Sequence, residues 1–486
     1  SVLSAISSEF GKFNQASWVG TSYLLATTTF TPSYQRLSDA MGRRGANHAA
    51  VLFAAGGILA CGCSFNMEML IISRFISGIG GGGISMVSGI IISDMYSLRT
   101  RGFLQSISGV FYGLGMGLGG PIGGLVTDWF GWRWAFLMQV PLFALCFGLT
   151  FFNLHYDTPG NGRPALEILE RIDYGGSACL LVSVGSMLYF LSTRYNEGLE
   201  WSEPSVWIPS VIAIVFLVLF LVNETYIAYE PVLPIRLLRR KIPFLVGCSN
   251  AFVATVMLSS TSTAGLHLLP NSICISIGNV FAGWMMQRTT GQYKLLNLVF
   301  GILPLVGTML IREMREDSGQ AYLWLSIVPS GLGNAVVSQT MYIALMASLP
   351  QSQLAIGTGF AQLVRGLGQV GGLAAASAIF QSRLNTELRA RIHTPDAEET
   401  IKHIRHSSRL IGELPPVLQR IARDAYAASL KSVFTLAVWD PEEVLFKIPD
   451  ADLDQDPLAE NRPNVRDDSD SGYDGDDESK ASTIRR

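Results

Sequence analysis

The residues that could do chemistry are few enough to take one at a time. Residues 35–45 read QRLSDAMGRRG and set Asp39 ahead of Gly42, Arg43 and Arg44 in a short turn between two apolar stretches. Such a set suits electrostatic clasping rather than bond making. A carboxylate can hold a helix N-terminus, and guanidinium groups can pair with carboxylates at neighbouring helix ends. Asp94, at the end of the apolar run 68–92, is the natural partner. A weaker echo, Gly283 with Arg288, Gly291 and Lys294, recurs later in the chain. Arg74 lies inside an apolar run, about 9 Å along a helix from Glu68. A guanidinium at that depth either faces a cavity or is bonded to backbone carbonyls.

Other spacings argue against catalysis. Gly78, Gly80 and Gly83 spell GxGxxG, but no strand precedes them, so they read as small residues that let helices approach. The GxxxG pairs Gly113 with Gly117 and Gly119 with Gly123 read the same way. Cys61, Cys63, Cys146, Cys179, Cys248 and Cys274 sit in apolar segments without a CxxC pair or a neighbouring histidine, which makes them packing residues. With no nucleophile elbow, P-loop or metal-ligand spacing, neither an enzyme nor a bound cofactor is expected, and no nucleic-acid partner. Polar residues within apolar segments, namely Tyr23, Asn250, His267, Asn271, Asn334, Gln339, Gln362 and Arg365, are candidates to line a cavity. For the amides the competing role is hydrogen bonding between helices. For His267 a protonation role and a structural one stand side by side.

These residues are carried by elements that need lipid. Of 486 residues 49% are hydrophobic and only 15% charged, against about 25% in soluble domains. Twelve stretches are long and apolar enough to span a bilayer: 16–34, 47–65, 68–92, 102–127, 132–154, 174–193, 207–228, 243–258, 264–286, 295–311, 321–346 and 351–381, with a doubtful thirteenth near 428–439. The chain is therefore expected to be an all-α polytopic membrane protein.

Alternate connections are basic, carrying Arg36, Arg43 and Arg44, then Arg99 and Arg101, then Arg163 and Arg171, then Arg236 to Lys241, then Arg288 and Lys294. By the positive-inside rule they face the cytosol. Residues 196–205, with Glu197, Glu200 and Glu203, belong on the other side, as do residues 1–15. This parity asks for a further span before Ser1. The 243–263 region looks short for a span and its loop, and Trp439, Asp440 and Pro441 cut off the last apolar run. Beyond it, residues 440–486 are acidic and expected to be a disordered, solvated tail.

Residues 35–45 resemble the loop signature G-x-x-x-D-x-x-G-R-R of the major facilitator superfamily, with Gln35 in place of its first glycine. Arg74, with Leu70, Gly78, Gly80 and Gly81, is similar to the superfamily's fourth-helix arginine. GLGMGLGGPIGG, with Gly113, Gly119, Gly120, Pro121, Gly123 and Gly124, resembles the fifth-helix motif of its proton antiporters. Trp132, Arg133 and Trp134 resemble the WRW signature of the fourteen-span drug:proton antiporter branch, which the two spans at 174–193 and 207–228 also suit. ASWVGTSYLL, SGIGGGGISMVSGIIISD, AGLHLLPNSI and the region from Gly357 to Leu436 look like the fungal vacuolar basic amino acid transporters.

The resemblance implies a major facilitator fold: a first bundle over 1–154, a cytosolic loop 155–173, two linker spans over 174–228, and a second bundle over 229–439 with a long non-cytosolic loop 382–427. It implies a secondary transporter driven by a proton gradient, exchanging basic amino acids or drug-like cations. The vacuolar membrane is the favoured location, with a plasma-membrane multidrug exporter or a non-transporting truncated product as alternatives. The first helix of that family carries an acidic residue, and the resemblance therefore predicts poor transport by this chain without an upstream span.

Overall fold

The computed structural model describes residues 2–12, 15–96, 98–154, 172–196, 199–228, 232–233, 243–248, 268–288, 294–314, 318–349, 354–392, 400–401, 404 and 415–438. The described elements are helical. In chain order they are α1 (Val2–Phe10), α2 (Ala16–Gly62), α3 (Met67–Met95), α4 (Leu98–Phe130), α5 (Trp132–Leu137), α6 (Val140–Asn153), α7 (Tyr174–Leu191), α8 (Pro204–Val222), α9 (Leu268–Arg288), α10 (Lys294–Arg312), α11 (Gln320–Leu325), α12 (Val328–Ala347), α13 (Leu354–Arg391) and α14 (Pro416–Val438). Among the described residues eight helices have the length and apolar composition to cross a membrane. Their exposed side chains include Phe111, Leu142, Phe152, Ile214 and Leu295, a surface suited to acyl chains rather than water.

Local chemistry sets the breaks. The stretches 16–34 and 47–65 form the two arms of α2, which turns at Gly42 with φ 76° and ψ 162°. That conformation is open to glycine and strained for other residues. Asn66 caps α3 by accepting from the Met69 amide at 2.8 Å, and Asp173 caps α7 through the Gly176 amide at 2.7 Å. Pro141 and Pro329 sit in the first turns of α6 and α12, where a missing N–H costs little, so the expected spans 132–154 and 321–346 are each two helices. Both α7 and α8 end in π-helical turns, Ser192–Asn196 and Asn223–Ile227.

In the first half α2 packs along α3, and a Cβ on Gly80 would overlap the backbone of Ala50 and Ala54. Ile6, Val19, Ile58, Cys61, Met67, Leu70, Trp132 and Phe136 form one core there, drawn from α1, α2, α3 and α5. α7 pairs with α8 and leans on α2. In the second half α12 packs on α9 and α10, and α13 on α14. The halves meet where α9 lies on α4 and α13 on α2.

One expectation is corrected. The stretch 382–427 is not one long loop: α13 continues to Arg391 and α14 begins at Pro416. Leu384, Leu388 and Ile392 pack there against Ala422 and Ala425, an apolar stripe at helical spacing that a search for continuous apolar runs passes over. The last apolar run forms the end of a 23-residue helix, α14. Residues 249–263 of the short 243–263 region, residues 155–171 of the cytosolic loop and the 440–486 tail lie outside the described residues.

Candidate functional site

Three polar assemblies stand out in this apolar frame. The first is the clasp around Arg43. The turn at Gly42 directs Arg43 so that its Nε donates to Asp94 Oδ2 at 2.8 Å and its Nη1 donates to Asp39 Oδ1 at 2.6 Å and Ser38 Oγ at 3.0 Å. Arg43 is thus shared between a carboxylate on its own helix and one at the far end of α3. The guanidinium is 9% exposed, Asp94 22% and Asp39 35%, so the bond to Asp94 is the better shielded. Arg44 donates from Nη2 to Phe151 O at 2.8 Å and lies 4.7 Å from that ring, which ties α2 to α6. Arg101 donates from Nη2 to Ser93 O at 2.5 Å and Tyr96 O at 3.2 Å, joining the start of α4 to the end of α3. Among the described residues the Asp39 carboxylate is taken up by Arg43 rather than by a helix N-terminus; residues 350–353, just ahead of α13, lie outside them.

The second assembly surrounds Arg74, deep in α3. Its Nε donates to Val19 O at 3.2 Å, and its Cζ lies 4.6 Å from the Tyr23 ring and 6.0 Å from the Phe136 ring. The arginine is therefore held by a carbonyl and an aromatic face, each contact worth about 0.5–2 kcal/mol. Among the described residues Tyr23 is the one candidate cavity residue that the structure brings to Arg74.

The third is a seam between the halves. A Cβ on Gly109 would meet Asn279, on Gly113 Ser276, and on Gly117 Ser272, while one on Gly283 would meet Ser106. Small residues on α4 thus face small and polar ones on α9. Ser276 Oγ lies 3.3 Å from Val110 O and 3.0 Å from Ser272 O. Gln339 of α12 adds a bridge: its Nε2 donates to Gly102 O at 3.1 Å and Ser106 Oγ at 3.3 Å. Gly113 belongs to this seam, but the expected pairing of Gly119 with Gly123 does not occur. Gly119 and Gly120 are exposed, Pro121 and Gly124 are half-buried, and Gly123 is buried beside Val2 of α1. The interface uses the row 109, 113, 117, one helical face away. Ser106, Gly109, Ser272, Ser276 and Asn279 were missed in the sequence, although their three- and four-residue spacing was the available signal.

The other candidates are dispersed. Asn271 is buried with its Oδ1 against Gly331. Asn334 donates to Ser330 Oγ at 3.4 Å, one turn back in α12. Gln362 and Arg365 are half-buried on α13, with no hydrogen bond or ion pair to described residues. Asn250 and His267 lie outside the described residues. The bond between Asn297 and Thr340, which joins α10 to α12, was also missed. At the opposite end from the clasp, Trp132 is buried and donates to Glu9 Oε2 at 2.5 Å, while Trp134 is exposed. The WRW stretch thus both packs and faces lipid. Arg133 donates to Glu9 Oε1 at 2.8 Å. These two donors hold the Glu9 carboxyl below the usual carboxylate range, Trp132 contributing most.

Comparison with known proteins fits this architecture. A family model described as Major Facilitator Superfamily matches residues 1–373. Multidrug resistance protein fnx1 of Schizosaccharomyces pombe is 31% identical over 459 residues, spanning 90% of this chain and 85% of that protein. Vacuolar basic amino acid transporter 2 of Saccharomyces cerevisiae is 29% identical over 444 residues, spanning 85% of this chain and 90% of that protein. The crystal structure of the human organic anion transporter MFSD10 (TETRAN) matches with a TM-score of 0.54 and 14% identity, over 91% of this chain and 88% of that one, a likeness of fold.

Proposed function

The chain belongs to the Major Facilitator Superfamily, and from that premise we propose that it is a proton-coupled antiporter carrying basic amino acids into the vacuole. The observation that carries the reading is the seam: two halves joined through glycine, serine and asparagine rows can roll on one another with little side-chain rearrangement. On this reading the Arg43 clasp fixes α2 against α3 at the cytosolic end in one of the two states. Arg74 sets the positive potential of the first half's interior, and Tyr23 screens it from the path. Arg365 receives the α-carboxylate of the substrate.

The choice of substrate is supported by similarity to the yeast protein named as a vacuolar basic amino acid transporter. A second reading, drug export at the plasma membrane, is favoured by similarity to the fission yeast protein named for multidrug resistance. To separate them, the chain is expressed in transporter-deficient yeast, and ATP-dependent uptake of labelled lysine, arginine and histidine into isolated vacuoles is measured with and without a protonophore. Protonophore-sensitive uptake is expected. Whole-cell drug resistance without vacuolar uptake, with protein present at matched levels, would overturn the first reading in favour of the second.

A further inference from the structure

Glu224 is a buried carboxylate that belongs to none of the clasp, the Arg74 assembly and the seam. It is 5% exposed and lies in the π-helical turn Asn223–Ile227 that ends α8. That end of the linker pair is on the clasp side, where Ser177 Oγ of α7 lies 3.4 Å from Ser33 Oγ of α2. The turn closes with the Ala228 amide donating to Asn223 O at 2.7 Å, one residue wider than an α-turn. Its first two residues serve different neighbours. Asn223 Nδ2 donates to Asp173 Oδ2 at 2.6 Å, and Asp173 Oδ1 accepts from the Gly176 amide, so the linker pair is tied at its base. Glu224 reaches the next stretch of chain: Val232 N donates to Oε1 and Leu233 N to Oε2, each at 3.1 Å.

Two consecutive amides directed at one side chain need two acceptor oxygens, which a carboxylate supplies. A glutamine would satisfy one amide and set its own N–H against the other. The two bonds span the covalent path from 224 to 232 with a single side chain, and so hold residues 232–233 as a strap on the base of the linker pair. The strap's own side chains bear on α13. Val232 and Leu233 pack with Leu180 of α7, Phe220 of α8 and Leu363 of α13, and Leu233 also packs on the core that contains Phe360. Leu363 lies between Gly359 and Gly366, the positions at which α13 rests against Gln35 and Thr28 of α2. The strap therefore meets α13 at the level of its grip on the first half, far from its other end at Arg391.

We infer that Glu224 is a positioning residue for the rocking of the two halves: its carboxylate locks the strap, and the strap is the fulcrum about which α13 tilts against α2 and the linker pair. The inference rests on the chain being a rocking transporter, whatever substrate it carries. The test uses the purified full chain in neutral detergent, without its six native cysteines. Spin labels are placed at Ser202→Cys on the linker hairpin and Thr386→Cys on α13, both exposed positions. A control pair, Ser202→Cys with Phe65→Cys, reads the hairpin against the first half. Pulsed electron paramagnetic resonance gives the distances and thermal melts the stability. Both are read without substrate, so a failure of the basic amino acid reading leaves the test intact.

Two populations of the 202–386 distance are expected, one for each tilt of α13. Glu224→Gln and Leu233→Ala should each change their ratio about tenfold, with the 65–202 distance unmoved. Because both act through the strap, the double variant should do no more than either alone, whereas Leu188→Ala, which alters the separate contact of α7 with Leu25 and Val370, should add to Glu224→Gln. If Glu224→Gln does not fold, Leu233→Ala and Leu363→Ala, which leave the carboxylate's bonds in place, decide the matter by the same distances. Populations unchanged in the folded variants, or effects of Glu224→Gln and Leu233→Ala that simply add, would overturn the proposal. So would a Glu224→Gln variant that melts early and disturbs both distance pairs alike, since the carboxylate would then serve stability alone.

Discussion

Breaking the tie between α2 and α3 at Arg43 should do more than remove one charge. The Nε to Oδ2 distance of 2.8 Å puts the two charge centres about 4 Å apart, which at an effective dielectric of about 20 is about 4 kcal/mol of attraction. Desolvation of a guanidinium that is only 9% exposed, and the 22% exposure of Asp94, reduce this to a net coupling of about 2 kcal/mol, a factor of about 30. The bond to Asp39 is an i,i+4 contact to a carboxylate 35% exposed and is worth about 0.5 kcal/mol, or about twofold. Two double-mutant cycles test this, Arg43→Gln with Asp94→Asn and Arg43→Gln with Asp39→Asn, each read as initial uptake rate in proteoliposomes and as melting temperature at matched protein levels. The Asp94 cycle should show strong coupling, and the Asp39 cycle little. Coupling below about 0.3 kcal/mol in the Asp94 cycle would refute the argument.

Gly113→Val should slow transport severely, because its Cβ position is filled by Ser276, and Ser276→Gly in the same chain should restore part of the rate. Gly119→Ala, with open space at its Cβ, should leave uptake unchanged and raise stability by up to about 1 kcal/mol, as judged from thermal melts. Gln339→Leu keeps the volume but loses the bonds to Gly102 O and Ser106 Oγ. It should shift the balance between inward- and outward-open forms by about tenfold, visible as altered labelling of a cysteine placed on the cytosolic side, and unchanged labelling would count against the bridge. Glu9→Gln should cost about 0.5–1 kcal/mol at neutral pH, since half-exposed bonds to Trp132 and Arg133 are lost. Because folding lowers the Glu9 pKa, this stabilisation is full above the unfolded value of about 4.3 and disappears as pH falls through the lower folded value. A melting difference between wild type and Glu9→Gln that grows on acidification would contradict it.

The clasp was legible in the sequence because a chain this poor in charge leaves few partners for Arg43, and Asp94 lies at the matching end of the next helix. The spans were legible for a similar reason: long apolar runs have one stable outcome in lipid. What escaped notice depends on neighbours far apart in sequence. Gln339 looks like any polar residue in an apolar run until α12 is laid against Gly102, more than two hundred positions earlier. The seam row at 109, 113 and 117 was overshadowed by the denser glycines at 119–124, which face mostly open space. The polar starts of α14 and the far part of α13 carry their apolar residues as a stripe, and only the partner helix turns a stripe into a core.

The length of α13 has a mechanical consequence. Its 38 residues make a rod of about 57 Å, against a hydrocarbon core of about 30 Å, so about 27 Å of it overhangs. Near its start the rod is gripped by the first half, with Gly359 against Gln35 and Gly366 against Thr28. It therefore acts as the needle of a gauge: a tilt of about 10° at the grip, small for a rocking transporter, sweeps the far end, about 38 Å away, by about 7 Å. A spin label or fluorophore at Thr386, read against one on the linker hairpin, would register each half-turn of the transport cycle as a distance change that few positions inside the membrane could match.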